Sequence, residues 1–431
     1  MQFPVRRADR VQARHLISLL ILAFFTLGLI VCLDVLTPYV LTALIALPES
    51  EHGKALGILH IWNEVTLLIV FAPIGVIADK VERRYVYAFG FFCLSLGFLL
   101  TGEARSLIDL YIARMVFAVG IAASASMLGC LIADYAIVDD RGKLTGIVGI
   151  LNGIGIVTLA IIFGRLPKVY DMAQIETLQA GRLTMAAPAL LAICVGIFAM
   201  IALKRGRPEG ATSKKHNLAR LRAGFAEVRN SKSLQLAFIA VFAARANLVV
   251  IATFTVAWGK TIALLGGHSM GEALAQARIP FIVSQAAATL WPLFMLWCID
   301  RVDRVKMVFA SLVLAAVTYS LITLVNNPLS TANLPFFVAL GFGEIGAFLS
   351  AQSLVGKEAS PERRGSIIAL FNISGSLGIM FASALGGFIY DWIGFHAPFV
   401  LAAMIDVVAA WMCWRWIRAR RSGSISNPNS R

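Results

Sequence analysis

Twelve apolar runs, each long enough to cross a membrane and each ended by charge, Pro or Gly, leave this chain few ways to fold. They extend approximately over Leu16 to Leu47, Lys54 to Ala78, Tyr85 to Thr101, Leu107 to Ala133, Leu144 to Phe163, Leu183 to Leu203, Leu234 to Trp258, Ile279 to Ile299, Met307 to Val325, Leu334 to Gly356, Ser366 to Tyr390 and Ala397 to Ile417. A bilayer core about 30 Å thick is spanned by roughly 20 apolar residues of helix. Inside it each backbone N–H and C=O must find its partner within the protein, and a helix does this within one segment. Of 431 residues 59% are hydrophobic and 14% charged, against roughly one-quarter charged in soluble domains. The expectation is an all-α membrane protein of twelve transmembrane helices.

The formal net charge of +14 invites a nucleic-acid reading, but its distribution argues otherwise. Most of the 38 Lys and Arg lie in the N-terminus, the even-numbered loops and the C-terminus, while Arg114 and Arg245 lie inside spans. That is the positive-inside bias, which puts both termini in the cytoplasm. The densest basic stretch, residues 204–233, places Leu218, Leu221, Phe225 and Val228 at helical spacing. It reads either as an amphipathic helix along the inner leaflet or as a solvated linker. The six cysteines stand singly, with no CxxC pair, so neither a disulfide framework nor a metal site is expected. Leu16 to Leu47 is far longer than the apolar core of a signal peptide and is read as the first span.

The chain also repeats itself. Asp79-Lys-Val-Glu82-Arg83 matches Asp300-Arg-Val-Asp303-Arg304 at an offset of 221. Arg141-Gly142 with Gly155 thirteen residues on matches Arg364-Gly365 with Gly378 thirteen on, at an offset of 223. A nearly constant offset across four spans means two homologous six-span halves, 1–203 and 234–431, joined by the basic 204–233 linker. Such inverted or parallel repeats are the build of transporters whose halves rock about a site near the midplane.

Gly75-x-x-x-Asp79-Lys80-x-x-Arg83-Arg84 resembles motif A of the major facilitator superfamily, with Glu82 where that motif has Gly. The second copy keeps Asp300, Arg301 and Arg304 but has Leu296 for the leading Gly and Asp303 for the second. Leu110 to Ala123 is similar to the family's motif B, with Arg114 and Gly120 in place and Phe117 and Ala118 where Gln and Gly are usual. In span 5, Gly149 and Gly153 fit the first glycines of the antiporters' motif C, but Ile154 stands where that motif has Pro. The resemblance covers essentially the whole chain. It implies two pseudo-symmetric six-helix bundles, cavity-lining spans 1, 4, 7 and 10, and a cytoplasmic gate at Gly75, Asp79, Lys80, Arg83, Asp300, Arg301 and Arg304. Plain positive-inside charge explains the cations of these loops but not two aspartates at matched positions.

Charges inside spans cost roughly 2.5–3.5 kcal/mol each at the membrane centre, so each needs a reason. Asp34, Glu64 and Arg114 fall in the outer and middle part of the first half, and Arg245 and Glu344 near the midplane of the second, where an ion pair is expected. Asp34, Glu64 and Arg114 are candidates for proton coupling, and Arg245 and Glu344 for substrate binding or coupling between halves. Structural ion pairing is the competing reading of all of them. His60 lies four residues before Glu64, beside Asn63, and reads as a proton relay or as a histidine at the outer interface. Asp406 reads as a structural pair, while Asn152, Gln285 and Asn372 suit either a polar substrate or helix–helix hydrogen bonds. Pro38 is expected to kink span 1, and the glycines around Gly155 and Gly378 to serve close packing.

No nucleotide-binding loop of the G-x-x-x-x-G-K-[ST] kind is present, and no catalytic triad is evident, so no enzyme activity and no cofactor are expected. The sequence-level expectation is a secondary transporter of a small organic solute, with protons and membrane lipid as partners and no nucleic acid. Its place would be a bacterial inner membrane. An uncoupled facilitator of a small anion, and a non-transporting sensor on the same scaffold, are the alternatives.

Overall fold

The computed structural model describes residues 5–8, 11–206, 217–299, 301–360 and 363–421. The helices run α1 Ala13–Ala43, α2 His52–Lys80, α3 Arg83–Glu103, α4 Leu107–Tyr135, α5 Arg141–Phe163, a short α6 Leu166–Met172, and α7 Thr177–Ala202. After the linker helix α8 Asn217–Asn230 follow α9 Lys232–Val249, α10 Thr255–Leu265, α11 Met270–Ile299, α12 Arg304–Leu321, α13 Leu334–Glu358, α14 Arg364–Trp392 and α15 Ala397–Arg421. A π-helical turn, Val250–Phe254, joins α9 to α10 as one span. Eleven segments among the described residues are long and apolar enough to cross a bilayer. The 30-residue α11 supplies the twelfth crossing.

Two boundaries differ most from the sequence reading. The seventh span continues past Trp258 to Leu265, carrying Lys260 with it. The eighth begins at Met270 rather than Ile279. In both places a cation ends the apolar run in the sequence, yet Lys260 and Arg278 are buried in the fold.

Helices α1–α7 pack mainly on one another, as do α9–α15, and the halves meet along two seams, α2 against α14 and α5 against α11. The repeat is visible in the packing. A Cβ at Gly155 of α5 would collide with the Phe24 carbonyl of α1, and a Cβ at Gly378 of α14 with the Phe242 carbonyl of α9. The matched glycines therefore do the same work in each half: they let the fifth and first spans of the half approach backbone to backbone.

Helix α8 is docked on the second half rather than free. Val228 joins the core around Leu234, and the Glu227 carboxylate accepts from the Ser360 N–H and hydroxyl at 3.0 and 2.8 Å. Phe225 stays exposed.

Candidate functional site

Within the spans the buried charges of both halves form one belt. Arg114 of α4 donates to Asp34 of α1 in a direct ion pair, and its guanidinium lies 5.8 Å from the Phe117 ring. Pro38 has no N–H for the Asp34 carbonyl, so the helix is loosened one turn beyond this pair. Glu64 of α2 is buried and accepts from the Asn63 amide at 3.3 Å. It lies beside Ser376 of α14, within electrostatic reach of both Arg114 and Arg245.

Arg245 of α9 crosses the Phe348 ring at 4.8 Å. Its carbon stem lies against Gly375, where a Cβ would come within 2.9 Å of it. The direct Arg245–Glu344 pair expected from the sequence is absent among the described residues. Glu344 of α13 instead accepts from the Gln285 amide at 3.1 Å, with Arg245 in electrostatic reach. The belt thus reads Asp34, Arg114, Glu64, Arg245, Glu344: alternating signs, passing from one half to the other between Glu64 and Arg245.

Two further polar groups fix the surroundings. His60 is buried, and its Nε2 lies 2.7 Å from the Thr253 hydroxyl of the π-helical turn. It is a bond between halves and not an interfacial histidine, and Asp34 and Arg114 are its charged neighbours. Asp406 stands apart from the belt. Both its oxygens accept from the Asn247 amide, at 3.1 and 2.9 Å, tying α15 to α9. The helix-pairing role read for it from the sequence matches this geometry.

A second cluster, not anticipated from the sequence, closes the end of the molecule opposite the termini. Lys260 of α10 is fully buried. Its ammonium donates to Thr42 Oγ1 at 2.6 Å, Glu49 Oε1 at 2.7 Å, His52 Nδ1 at 3.1 Å and the Pro38 carbonyl at 3.3 Å. All four acceptors belong to the other half. Because His52 Nε2 faces the Leu47 carbonyl at 3.0 Å, the ring is the neutral tautomer that donates from Nε2 and accepts at Nδ1. Burying a lysine costs several kcal/mol unless its donors are matched, as they are here.

Three more side chains bond across between halves at this end. Arg278 of α11 donates to the carbonyls of Ala160 and Ile161 at the end of α5, where the helix dipole is negative. Asp391 of α14 accepts from the Gly53 and Lys54 amides at the start of α2, both at 2.7 Å. Asp171 accepts from Ser269 Oγ and the Gly271 amide at 2.9 and 2.8 Å.

At the end bearing the termini, by contrast, Arg83 and Arg304 find their partners within their own halves. Arg83 pairs with Asp134 at 2.5 Å, and Arg304 donates to the Ser353 carbonyl at 3.0 Å. These are matched positions of the repeat, each tying the third span of its half to the fourth. Gly75 faces open space, and Lys80 and its match in the second copy, Arg301, are both exposed. The side chain of Asp79 and the whole of Asp300 lie outside the described residues.

A twelve-span protein of two homologous halves, bolted across at one end and carrying a shared belt of charge at its middle, is a membrane transporter and not an enzyme. The chain belongs to the Major Facilitator Superfamily, whose model matches residues 19–270 and again 249–430. It is 23% identical over 428 residues to magnetosome protein MamH of Paramagnetospirillum magneticum, covering 96% of this chain and 95% of that one. It is 24% identical over 394 residues to magnetosome protein MamZ of Magnetospirillum gryphiswaldense, covering 87% of this chain and 58% of that longer protein. Among solved structures, nucleoside transporter NupG superposes with a TM-score of 0.74 at 15% identity, over 94% of this chain and 99% of that one. A bacterial homolog to the human lysosomal transporter Spinster, inward-facing and unoccupied, superposes at 0.73 with 16% identity, over 98% and 100%. At such identities these structures share the fold.

Proposed function

We propose that this protein is a proton-coupled secondary transporter that moves a small organic solute by alternating access, in a bacterial inner membrane with both termini in the cytoplasm. The observation that carries this reading is the balance of the belt. Asp34, Glu64 and Glu344 face two guanidiniums, Arg114 and Arg245, so one carboxylate charge is left over at mid-membrane. A proton is the simplest way to balance it while the halves move. Both arginines already have carboxylate neighbours, which disfavours the uncoupled anion facilitator.

In this scheme Asp34 is the proton site. Protonation frees Arg114 toward Glu64, and the belt re-pairs as the halves rock. With the termini cytoplasmic, the bolted end faces outward. A proton gradient would supply the driving force, at about 2.3 kcal/mol per charge for each 100 mV of membrane potential.

The test compares small molecules inside and outside cells that express wild type, Asp34→Asn or empty vector, at acidic and neutral external pH. The expected result is a compound that redistributes with wild type, more strongly at acidic pH, and not with the variant. Equal redistribution in wild type and variant at both pH values would overturn proton coupling through Asp34.

A further inference from the structure

The lock around Lys260 leaves one of its members no place for a second proton. His52 is buried, and both of its ring nitrogens are in use: Nε2 donates to the Leu47 carbonyl at 3.0 Å, and Nδ1 accepts from the Lys260 ammonium at 3.1 Å. A further proton would have to sit on Nδ1, where that ammonium already donates, and would turn an attraction into a repulsion between two cations. His52 is also the first residue of α2, where the helix dipole is positive. The carboxylates around it are engaged. Glu49 Oε1 accepts from Lys260 at 2.7 Å and Oε2 from Thr261 at 2.8 Å, with Oε2 3.5 Å from His52 Nδ1. One carboxylate would thus have to serve two cations. Asp391 of α14 spends its oxygens on the Gly53 and Lys54 amides, and Tyr390 beside it packs on Gly53. Glu51 and Lys54, the other charges at this turn, are exposed and opposite in sign.

We infer that His52 is a proton-binding site that unlocks the end opposite the termini: a proton taken up there expels Lys260 from its socket and parts the two halves. The inference rests on the alternating access proposed above, but not on Asp34 as the coupled site. His52 belongs to α2 and Lys260 to α10, so the repulsion acts directly between the halves. In the parted molecule the ring meets water and titrates as an ordinary histidine, at about pH 6.5. Because the proton goes to the parted form and not to the locked one, acid favours parting. By linkage the ratio of parted to locked molecules rises about tenfold from about pH 7.5 to about pH 5.5. Carboxylates with the ordinary pKa of about 4 stay charged over that range.

The test follows the distance between spin labels carried by genetically encoded amino acids at Val169 of α6 and Leu265 of α10, both exposed at this end. The full-length protein is measured in nanodiscs at about pH 7.5 and about pH 5.5, so neither substrate nor orientation enters the result. It is compared with Arg278→Gln, whose weakened seam raises the parted fraction without touching His52. The tenfold rise is expected in both. His52→Gln, whose amide can accept from Lys260 and donate to Leu47 at either pH, should stay locked with no rise. Lys260→Met should part the halves equally at both pH values, since no ammonium is left to repel. Asp34→Asn should keep the rise, so the failure of Asp34 as the coupled site leaves these distances unmoved. A rise that survives in His52→Gln, or that is lost in Asp34→Asn, would give the proton to another group and overturn the inference. So would a ratio that does not move with pH in wild type and in Arg278→Gln. Distances unchanged in every variant, Lys260→Met included, would overturn the lock and the inference together.

Discussion

The two ends of the molecule come from the same repeat, yet they spend their charges differently. At the end bearing the termini, Arg83 and Arg304 satisfy themselves within their own halves, on Asp134 and on the Ser353 carbonyl. At the opposite end Lys260, Arg278, Asp391 and Asp171 all reach across. Bonds inside a half survive when the halves rock; bonds between halves do not. In the cycle proposed above, the far end is the gate that is shut, and its polar bonds are the ones given up as the halves rock.

The largest expected effect is on Lys260. Lys260→Met leaves Glu49, His52 and Thr42 without their shared donor, and breaking a buried charge pair on one side costs about 3–5 kcal/mol. Glu49 is about one-third exposed, so about 2 kcal/mol toward opening is a better figure once solvent screening is counted. A cysteine placed at Thr42 should become reactive to an impermeant thiol reagent added on the side opposite the termini. No gain in reactivity would show that the lock lies elsewhere.

Arg278→Gln should act the same way but less, by about 1–2 kcal/mol, because helix-end carbonyls can be rehydrated. The measurement is the distance distribution between spin labels on α6 and α10. Arg83→Gln should leave that distribution unchanged, since its bond never crosses between halves. A shift as large as that of Arg278→Gln would erase the distinction between the ends.

The smallest effect concerns the N-terminal segment. The Arg6 amide, with Lys143 and the Arg6 guanidinium, holds the Asp140 carboxyl well below its ordinary range. Such a lowered group contributes stability above the ordinary carboxylate pKa of about 4 and loses it only as the pH falls below that. Hydrogen-exchange protection of the Ala8 and Ile137 amides, bonded to the Tyr135 and Arg6 carbonyls, should stay constant from about pH 8 to about pH 5. Asp140→Asn should lower it throughout that range.

The sequence made part of this legible. Apolar run length marked the spans, because hydrocarbon forces each into helix. Asp34, Glu64, Arg114, Arg245 and Glu344 stood out because charge inside such a run is costly. Their neighbours were harder to read. The Arg245–Glu344 pair failed because Phe348 and Gln285 offer nearer partners, and no periodicity encodes that choice. Lys260 and Arg278 were invisible for the opposite reason: each looked like the ordinary charge that ends a span. Their partners lie 100 residues or more away in the chain, on Glu49 and on the α5 carbonyls. The one available signal was that a lysine and an arginine on the side opposite the basic loops run against the positive-inside bias.

The π-helical turn Val250–Phe254 gives the seventh span a mechanical part to play. Arg245 sits on one side of it in the charge belt, Thr253 within it touches His60, and Lys260 beyond it fills the lock at the end opposite the termini. Those two cations are fifteen residues apart, about 22 Å along a helix. A turn with looser winding can be rewound, and π-bulges recur at functional positions of helices. In the cycle proposed above, one span would work as a crankshaft: a twist at this turn would swing Arg245 against Glu64 and Lys260 out of its socket in a single motion, so that recharging the belt and unlatching the door would become the same event.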